Sequence, residues 1–332
     1  MNGTLLGVGN PIFDMYSHID NQNLSCIRQY IDSASWGRTF HVEESLFEQL
    51  LTCVEPELVI PGGGAFNTIR ILSQLGHPAG FIGTLGGKAT LFSHKPPLTA
   101  ESFHKEMKNH GIKEYTDTEG IQPCGRSLCF YQGARRLLIV NPAAAVKLQD
   151  LKDGLLKKVN PHLIYVEGFL LPRHRLLREV CDWQRRSGAT IAVDLGAPPL
   201  VRHNRDFIVN TVLPHTTYLF GTEDEIGALQ IGYQDIRSKL ANGTLVVKKG
   251  AAGSSIYHKT GFFEIPPHKT EVLDSTGAGD AYAAFYLSGI LHGMTARTAA
   301  EAATYGSSLV LSNLGGYIDT SAVTSVAKLI HS

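Results

Sequence analysis

The chain has 332 residues, enough for one large domain or for one domain with an appendage. Its 30 basic and 30 acidic residues cancel, so no excess of positive charge points to nucleic acid or to an anionic membrane surface. Its five cysteines are an odd number without a C-x-x-C pair, which argues against a disulfide framework or structural zinc site and favours a reducing compartment. The sequence has no apolar run of membrane-spanning length and no positive signal-peptide start, so we expect a cytoplasmic protein.

Short apolar runs rich in Val, Ile and Leu alternate with helical patterns along the chain. This alternation predicts an α/β fold with a mostly parallel sheet that helices cover on both faces. The predicted strands are Thr4–Val8, Ala79–Thr84, His162–Val166, Thr190–Asp194, Thr217–Phe220, Thr244–Val247 and Ser254–Tyr257. The predicted helices are Ala65–Leu75, Ala100–Asn109, His174–Arg186, Asp235–Ala241, Ala281–Leu291, Ala296–Ser312 and Thr320–Ile330. Ligands of such folds bind beyond the carboxyl ends of the strands.

Two segments, 16–60 and 112–145, interrupt this alternation. The first is polar and mixed, and the second carries two apolar runs around the turn signal Gln132-Gly133-Ala134, which predicts a hairpin. We expect both to form a small lid domain that excludes water from a reaction site, over a large domain built from residues 1–15, 61–111 and 146–332. Insertions without a functional role are the alternative.

Residues 274–280 have the sequence DSTGAGD and directly precede an apolar helical pattern. Gly277, Ala278 and Gly279 let the backbone approach a ligand closely, and N–H groups at a helix start make an anion site. Asp280 places a carboxylate in the same turn, where it can accept a hydroxyl proton. An anion site beside a base suits phosphoryl transfer to an alcohol. Taken alone, the run could equally be a glycine-rich turn that caps an ordinary helix.

Two segments nearer the start of the chain offer groups for hydroxyl recognition. The run GGGAFN at 62–67 follows an apolar strand pattern and opens a helix, and Asn67 can both donate and accept hydrogen bonds. Asp14 lies just past the first strand, where the lid begins, and suits a bidentate grip on a sugar diol. The alternatives are an ordinary helix start and a turn aspartate.

Two further strand ends point to a nucleotide and its metal. Lys248, Gly250 and Gly253 stand at the end of a predicted strand and could line a nucleotide pocket, or simply form a hairpin turn. Glu225 follows another strand and could hold Mg²⁺ through water. Favourable negative charge in the first turn of a helix is the alternative explanation of Glu225.

Taken in order, these segments resemble the signatures of the PfkB carbohydrate kinases, a family with the ribokinase-like fold. The resemblance implies a three-layer α/β sandwich with a mostly parallel central sheet, a small β-rich lid, and ATP and Mg²⁺ as cofactors. Within the family the chain is most similar to adenosine kinases, because residues 9–14 read GNPIFD, residues 136–145 read RLLIVNPAAA and residues 218–225 read YLFGTEDE.

The resemblance makes Asp280 the base that deprotonates a primary hydroxyl of the acceptor and brings Arg136 from the lid toward the transferring phosphate. It implies that Gly277, Ala278 and Gly279 form the anion hole. The residues that it assigns to the acceptor are Asn10, Asp14, Gly63, Asn67 and Phe169. Those that it assigns to the nucleotide are Lys248, Gly250, Gly253, Thr276, Gly277 and Gly279, and the residue assigned to Mg²⁺ through water is Glu225.

The acceptor predicted first is a nucleoside such as adenosine. A free sugar such as ribose or fructose is the alternative, and a catalytically silent nucleoside or sugar sensor is the third. Leu170 stands where adenosine kinases often have a second phenylalanine, and Thr222 stands where the family's N-x-x-E element has asparagine, so all three stay open. The expected partners are ATP and a small-molecule acceptor, with no nucleic acid and no membrane, for a monomer or homodimer.

Overall fold

The computed structural model describes residues 3–92, 95–132, 135–315 and 318–331. No helix in these ranges combines the length and the hydrophobicity that crossing a bilayer requires. The strands are β1 (Leu5–Val8), β2 (Ile12–His18), β3 (Arg38–His41), β4 (Leu58–Gly62), β5 (Ala79–Ile82), β6 (Thr84–Lys88), β7 (Lys113–Glu114), β8 (Asp117–Pro123), β9 (Gly125–Gln132), β10 (Arg135–Asn141), β11 (Leu163–Val166), β12 (Thr190–Asp194), β13 (Tyr218–Thr222), β14 (Thr244–Lys248), β15 (Ser254–His258) and β16 (Gly261–Ile265). The helices are α1 (Asn21–Tyr30), α2 (Glu44–Leu50), α3 (Gly64–Gln74), α4 (Ala100–Asn109), α5 (Leu155–Val159), α6 (His174–Ser187), α7 (Pro198–His203), α8 (Arg205–Phe207), α9 (Glu223–Gly227), α10 (Tyr233–Lys239), α11 (Ala278–Leu291), α12 (Ala296–Leu311) and α13 (Thr320–His331).

A nine-stranded sheet forms the centre of the molecule, with the strand order β16-β15-β14-β13-β12-β11-β1-β5-β7. All neighbours from β14 to β7 pair in parallel, and only β15 and β16 add antiparallel pairs at one edge. The prediction of a mostly parallel central sheet is therefore confirmed. Strand β1 is flanked by β5 on one side and by β11 on the other, so the order of strands along the chain reverses at this point. Ligands of such folds bind at a reversal of this kind.

Helices cover both faces of this sheet, as the predicted three-layer sandwich requires. Leu163 and Tyr165 of β11 pack into one core, whereas the alternate residues Ile164 and Val166 pack into the other. The first core receives α3, α11 and α12, and the second receives α6 and α10. Every residue of α11 from Ala281 to Gly289 is buried, because this helix is apolar on all sides and lies between α3 and α12.

A smaller five-stranded sheet has the order β3-β10-β9-β2-β4. Its strands β9 and β10 pair as the predicted antiparallel hairpin, although Gly133 and Ala134 of the predicted turn lie outside the described residues. The strands of this sheet come mostly from the two segments expected to form a lid, and α1 and α2 accompany them along the chain. We propose that this sheet is the lid.

The strand pairing differs from the expected lid boundaries at several places. Residues 12–15 of β2 and 61–62 of β4, expected in the large domain, belong to the small sheet, and two strands of the second lid segment pair elsewhere. β7 pairs with β5 in the large sheet, although residues 113 and 114 fall inside the second expected lid segment. β8 pairs in parallel with β6 in a separate two-stranded sheet. Both β7 and β8 are mostly polar and exposed, so no apolar pattern marks the sheet to which they belong.

One disulfide joins Cys26 of α1 to Cys53, which follows α2. The cysteine count argues against a disulfide framework, and this bridge departs from that expectation. The packing of the two helices brings residues 27 positions apart to a Cα–Cα distance of 5.9 Å, and cysteine spacing along the sequence carries no sign of that contact. Cys124, Cys129 and Cys181 are free and buried.

Candidate active site

A cavity of about 490 Å³ lies beyond the carboxyl ends of the central strands, between the large sheet and the small one. Its polar side chains come mainly from the ends of β1, β11, β12 and β14 and from the starts of α3 and α11, while Leu138 and Val140 of β10 contribute apolar surface. The predicted site residues that line it are Asn10, Asp14, Gly63, Asn67, Phe169, Glu225, Lys248, Thr276 and Asp280. The fold thus gathers into one cavity residues from both ends of the chain.

Asp280 stands in the first turn of α11 and faces this cavity. Gly277, at φ 74°, forms the left-handed cap that precedes the helix, a conformation that favours glycine. Asn67 Nδ2 donates to Asp280 Oδ2 over 3.0 Å. Burial is the main cause that raises the pKa of Asp280 to about 7, and Asp194 adds to it, while Asn67 and Lys248 act in the opposite direction. A carboxylate that titrates near neutral pH is well matched to general-base catalysis.

The amide of Asn67 is oriented by Arg70, one turn further along α3. Arg70 Nη2 donates to Asn67 Oδ1 over 3.1 Å, which leaves Nδ2 to face Asp280. Arg70 is itself only 1% exposed and also donates to the carbonyl of Pro61 over 2.9 Å. Sequence analysis did not identify Arg70, because a single arginine in an amphipathic helix gives no signal of an inward-facing role.

Glu167 connects two of the glycine-rich segments. Its Oε1 accepts from the N–H of Asn10 over 2.7 Å, and its Oε2 accepts from the N–H of Ala65 over 3.0 Å. A Cβ at Gly9 would lie 2.5 Å from Glu167 Oε2, so only glycine leaves room for this carboxyl. Burial raises the pKa of Glu167 to about 8, against the two backbone hydrogen bonds that lower it. Glu167 therefore fixes the loop after β1 against the start of α3.

The expected acceptor residues border the same cavity as the base. Ser127 Oγ donates to Asp14 Oδ1, and burial raises the pKa of Asp14 to about 6 despite that hydrogen bond. Asn10 Oδ1 is buried without a hydrogen-bond partner among the described residues, so it is available to a ligand hydroxyl. A Cβ at Gly63 would lie 2.2 Å from the carbonyl oxygen of Asn10, and its φ of 104° also requires glycine. Phe169 is 41% exposed.

A second cavity, of about 340 Å³, lies on the other side of the turn before α11. It is lined by Ala278 and Gly279 of the predicted anion hole and by Gly250 and Gly253 of the predicted nucleotide loop. A Cβ at Gly253 would lie 2.0 Å from the carbonyl oxygen of Ile265, so this loop packs against the chain beyond β16. Four of the predicted nucleotide residues thus line this second cavity, namely Lys248, Gly250, Gly253 and Gly279, whereas Thr276 and Gly277 do not.

Lys248 forms an ion pair with Asp194 at the ends of the neighbouring strands β14 and β12. The distance from Lys248 Nζ to Asp194 Oδ2 is 2.6 Å. Burial acts to lower the pKa of Lys248, but the charges of Asp194 and Glu225 outweigh it and raise that pKa. Asp194 was not selected from the sequence, because only the three-dimensional sheet order reveals its partner.

Glu225 serves first as a helix-capping residue. Its Oε2 accepts from the N–H of Thr222 over 2.8 Å, and its own N–H donates to Thr222 Oγ1 over 3.3 Å. Among the described residues no group of three or more His, Cys, Asp or Glu could hold a metal ion. The carboxylates of Asp194 and Glu225, both near Lys248, fit a Mg²⁺ ion bound through water and through phosphate oxygens.

Arg136 and Thr276 both bind Asp274, which is fully buried and needs donors. Arg136 Nε donates to Asp274 Oδ1 over 3.1 Å, and the hydroxyl of Thr276 donates to the same oxygen over 2.9 Å. Arg136 is not among the described residues that line either cavity, and Thr276 lines the first cavity instead of the second. Their expected roles at the phosphate and the nucleotide stay predictions.

Comparison with known proteins shows the family to which this chain belongs. A family model described as pfkB family carbohydrate kinase matches residues 38–322. Adenosine kinase 1 of Arabidopsis thaliana is 24% identical over 344 residues, covering 95% of this chain and 95% of that protein. A 5-dehydro-2-deoxygluconokinase of Listeria monocytogenes is 23% identical over 271 residues, covering 76% of this chain and 80% of that protein. The crystal structure of adenosine kinase from Sinorhizobium meliloti shares the fold, with a TM-score of 0.83 at 21% identity over 99% of both chains. The chain therefore belongs to the pfkB family of carbohydrate kinases, as its sequence motifs predict, and is a kinase.

Proposed function

We propose that this kinase transfers the γ-phosphate of ATP to a primary hydroxyl of a ribose-containing acceptor, with a nucleoside such as adenosine as the first candidate. One observation carries the proposal. Asp280 lines the first cavity, while Ala278 and Gly279, which directly precede it, line the second. A single helical turn thus separates a base on the acceptor side from an anion site on the nucleotide side.

In this proposal Asp280 accepts the proton of the acceptor hydroxyl as its oxygen attacks the γ-phosphorus. Asn67 holds the carboxylate in place, and the backbone N–H groups at the start of α11 stabilise the charge on the transferring group. Mg²⁺, near Asp194 and Glu225, would supply additional neutralisation of the phosphate charge. The small sheet covers the acceptor and excludes the water that would otherwise hydrolyse ATP.

The nucleoside is favoured by the combination of polar and apolar walls in the first cavity. Asn10, Asp14 and Asn67 offer acceptors and donors for the hydroxyls of a ribose. Leu138, Val140 and other apolar side chains offer a surface for a flat base. The name of the Arabidopsis relative, adenosine kinase, agrees with this choice.

Arg173 favours a second candidate, a free sugar acid. Its side chain lines the first cavity, where Nη2 donates to the carbonyl of Val146 over 3.2 Å and Nε is buried without a partner. None of the ion pairs among the described residues includes Arg173, and burial lowers its pKa. An acceptor that carries a carboxylate would supply the missing anion, and the Listeria relative bears the name of a kinase for a sugar acid.

The test is ATP consumption across a panel of nucleosides, neutral sugars and sugar acids, with identification of the phosphorylated product. The variant Arg173→Met separates the two candidates. Arg175→Met is its control, because Arg175 is 78% exposed and its ion pairs within the described chain are with the half-exposed Asp150 and Glu179. We expect turnover of a nucleoside that Arg173→Met leaves within about threefold. A loss of about 10- to 100-fold in kcat/KM for a sugar acid, confined to Arg173→Met, would establish the second candidate instead. ADP formation with no member of the panel would contradict the proposed function.

A further inference from the structure

Lys248 lies where the two cavities meet. Among the described residues that line these cavities, it is the one that lines both. In the proposed reaction the γ-phosphate must pass from the nucleotide cavity to the acceptor cavity. A group that borders both cavities is therefore within reach of that phosphate before and after transfer.

The side chain of Lys248 also lies against the anion hole. A Cβ placed on Gly279 would come within 3.0 Å of Lys248 Nζ and within 3.9 Å of its Cδ and Cε. The ammonium is thus next to the backbone of the first turn of α11. The positive end of a helix and a lysine charge face the same space, and each favours an anion there.

Asp194 holds the ammonium in this position without using up its hydrogen-bonding capacity. Among the described residues the Asp194 carboxylate is its one hydrogen-bond partner, at 2.6 Å, and an ammonium has three donors. Two N–H bonds therefore remain for a ligand. Asp194 in turn accepts from the N–H of Gly196 over 3.2 Å, which orients its carboxylate at the end of β12.

We propose that Lys248 is the side chain that binds the transferring phosphoryl group, and that Asp194 positions it. This inference rests on the proposed function. In the step, the acceptor oxygen forms a bond to the γ-phosphorus, the bond from that phosphorus to the bridging oxygen of ADP breaks, and the hydroxyl proton passes to Asp280. Lys248 keeps its proton throughout and contributes N–H donors to the phosphoryl oxygens.

The test compares Lys248→Met, Lys248→Arg and Asp194→Asn with the neighbouring control Lys249→Met. Lys249 pairs with Glu264 at 3.1 Å and lines neither cavity within the described chain. Binding of ATP and of ADP is measured by calorimetry without acceptor, both with Mg²⁺ and with a chelator. The chelator separates a contact of Lys248 with phosphate from any effect on the metal.

We expect Lys248→Met to weaken ATP binding by about tenfold or more, to leave ADP binding within about twofold because ADP lacks the transferred phosphoryl group, and to lower kcat by about 10²-fold. Lys248→Arg should recover part of both losses, and Lys249→Met should match the wild type. Asp194→Asn should lower kcat without weakening ATP binding in the chelator, because it removes a negative charge but leaves the ammonium.

A purely structural ion pair gives a different pattern. In that case Lys248→Met and Asp194→Asn lower the melting temperature alike and change ATP and ADP binding in the same ratio, which would overturn the proposal. If Lys248→Met does not fold, the Asp194→Asn and Lys248→Arg results decide. The ratio of ATP to ADP affinity needs no acceptor, so it tests Lys248 even if the acceptor panel gives no turnover and the proposed function fails.

Discussion

At the scale of single residues, the site concentrates carboxyl groups in a partly buried cavity. Burial raises the pKa values of Asp14, Glu167, Glu225 and Asp280 above their ordinary values, and Lys248 forms an ion pair with the neighbouring Asp194. Such clusters of perturbed carboxyl groups are typical of functional sites, because a fold without a ligand gains no stability from holding them there. The metal ion of a substrate complex would supply the missing positive charge.

The raised pKa of Asp280 predicts a pH dependence of catalysis. The base must be ionised to accept a proton, so kcat/KM should fall as the pH decreases through about 7. Asp14, with a pKa of about 6, should steepen the fall below that pH if its ionised form binds the acceptor. The measurement is the pH–rate profile from pH 5 to 9 for the best acceptor. A profile that stays level down to pH 5 would show that Asp280 does not act as the base.

The same shift predicts a pH-dependent stability. The folded-state pKa of about 7 exceeds the ordinary aspartate value of 3.8, so the folded protein binds more protons between these values and loses stability as the pH rises through them. Asparagine carries no charge, and its side-chain oxygen can still accept from Asn67. We therefore expect Asp280→Asn to melt at a higher temperature than the wild type at pH 8, with a smaller difference at pH 5. Equal melting temperatures at both pH values would contradict the burial of this charge.

At the scale of elements, the first turn of α11 lies between the two cavities and borders both of them. The helix is anchored because its apolar residues are buried on every side, and Thr68 Oγ1 of α3 donates to the carbonyl of Asp280 over 3.3 Å. The start of the helix, in contrast, stays open to both cavities. Buried packing along its length therefore fixes an end that borders both cavities and that we propose to be the reaction site.

Gly279→Ala tests whether space at this turn matters. Alanine favours helices over glycine by up to about 1 kcal/mol, so stability should stay the same or rise. A Cβ 3.0 Å from Lys248 Nζ should, however, displace the ammonium and lower kcat by about tenfold or more. Gly227→Ala in α9 is the matched control, because a Cβ there meets nothing within 4 Å. Full activity of Gly279→Ala would argue against a crowded anion site.

At the scale of the whole molecule, the fold brings distant parts of the chain together at one point. Asn67 and Asp280 are 213 positions apart and share a hydrogen bond because α3 and α11 pack side by side. The small sheet places Leu138 and Val140 over the cavity that these residues line. We propose that closure of this sheet completes the acceptor site, and the ion pair between Arg136 and Asp274 links the two parts.

The sequence predicts much of this arrangement, because the central strands and helices have strong and simple patterns. Helix Ala100–Asn109 and strand Thr190–Asp194 match the prediction residue for residue, and α11 begins three positions before the predicted Ala281, since the glycine-rich turn already belongs to the helix. The motif around Asp280 also indicated a kinase. These features depend on local composition and on motifs of contiguous residues.

The remaining features depend on contacts between separate elements. The pairs Lys248–Asp194 and Arg136–Asp274 join residues whose proximity follows only from the order of strands and the packing of loops. The polar strand β7 and the disulfide of Cys26 likewise carry no local signal. The guanidinium of Arg173, whose Nε has no hydrogen-bond partner among the described residues, likewise could not be recognised until its surroundings were known.

The most direct test of the central claim is the turnover of Asp280→Asn with the best acceptor of the panel, measured together with the binding of ATP and of that acceptor. The proposed mechanism predicts that kcat falls by about 10²–10⁴-fold while both ligands bind within a few-fold of the wild type. Turnover close to that of the wild type, with ligand binding intact, would contradict the assignment of Asp280 as the base.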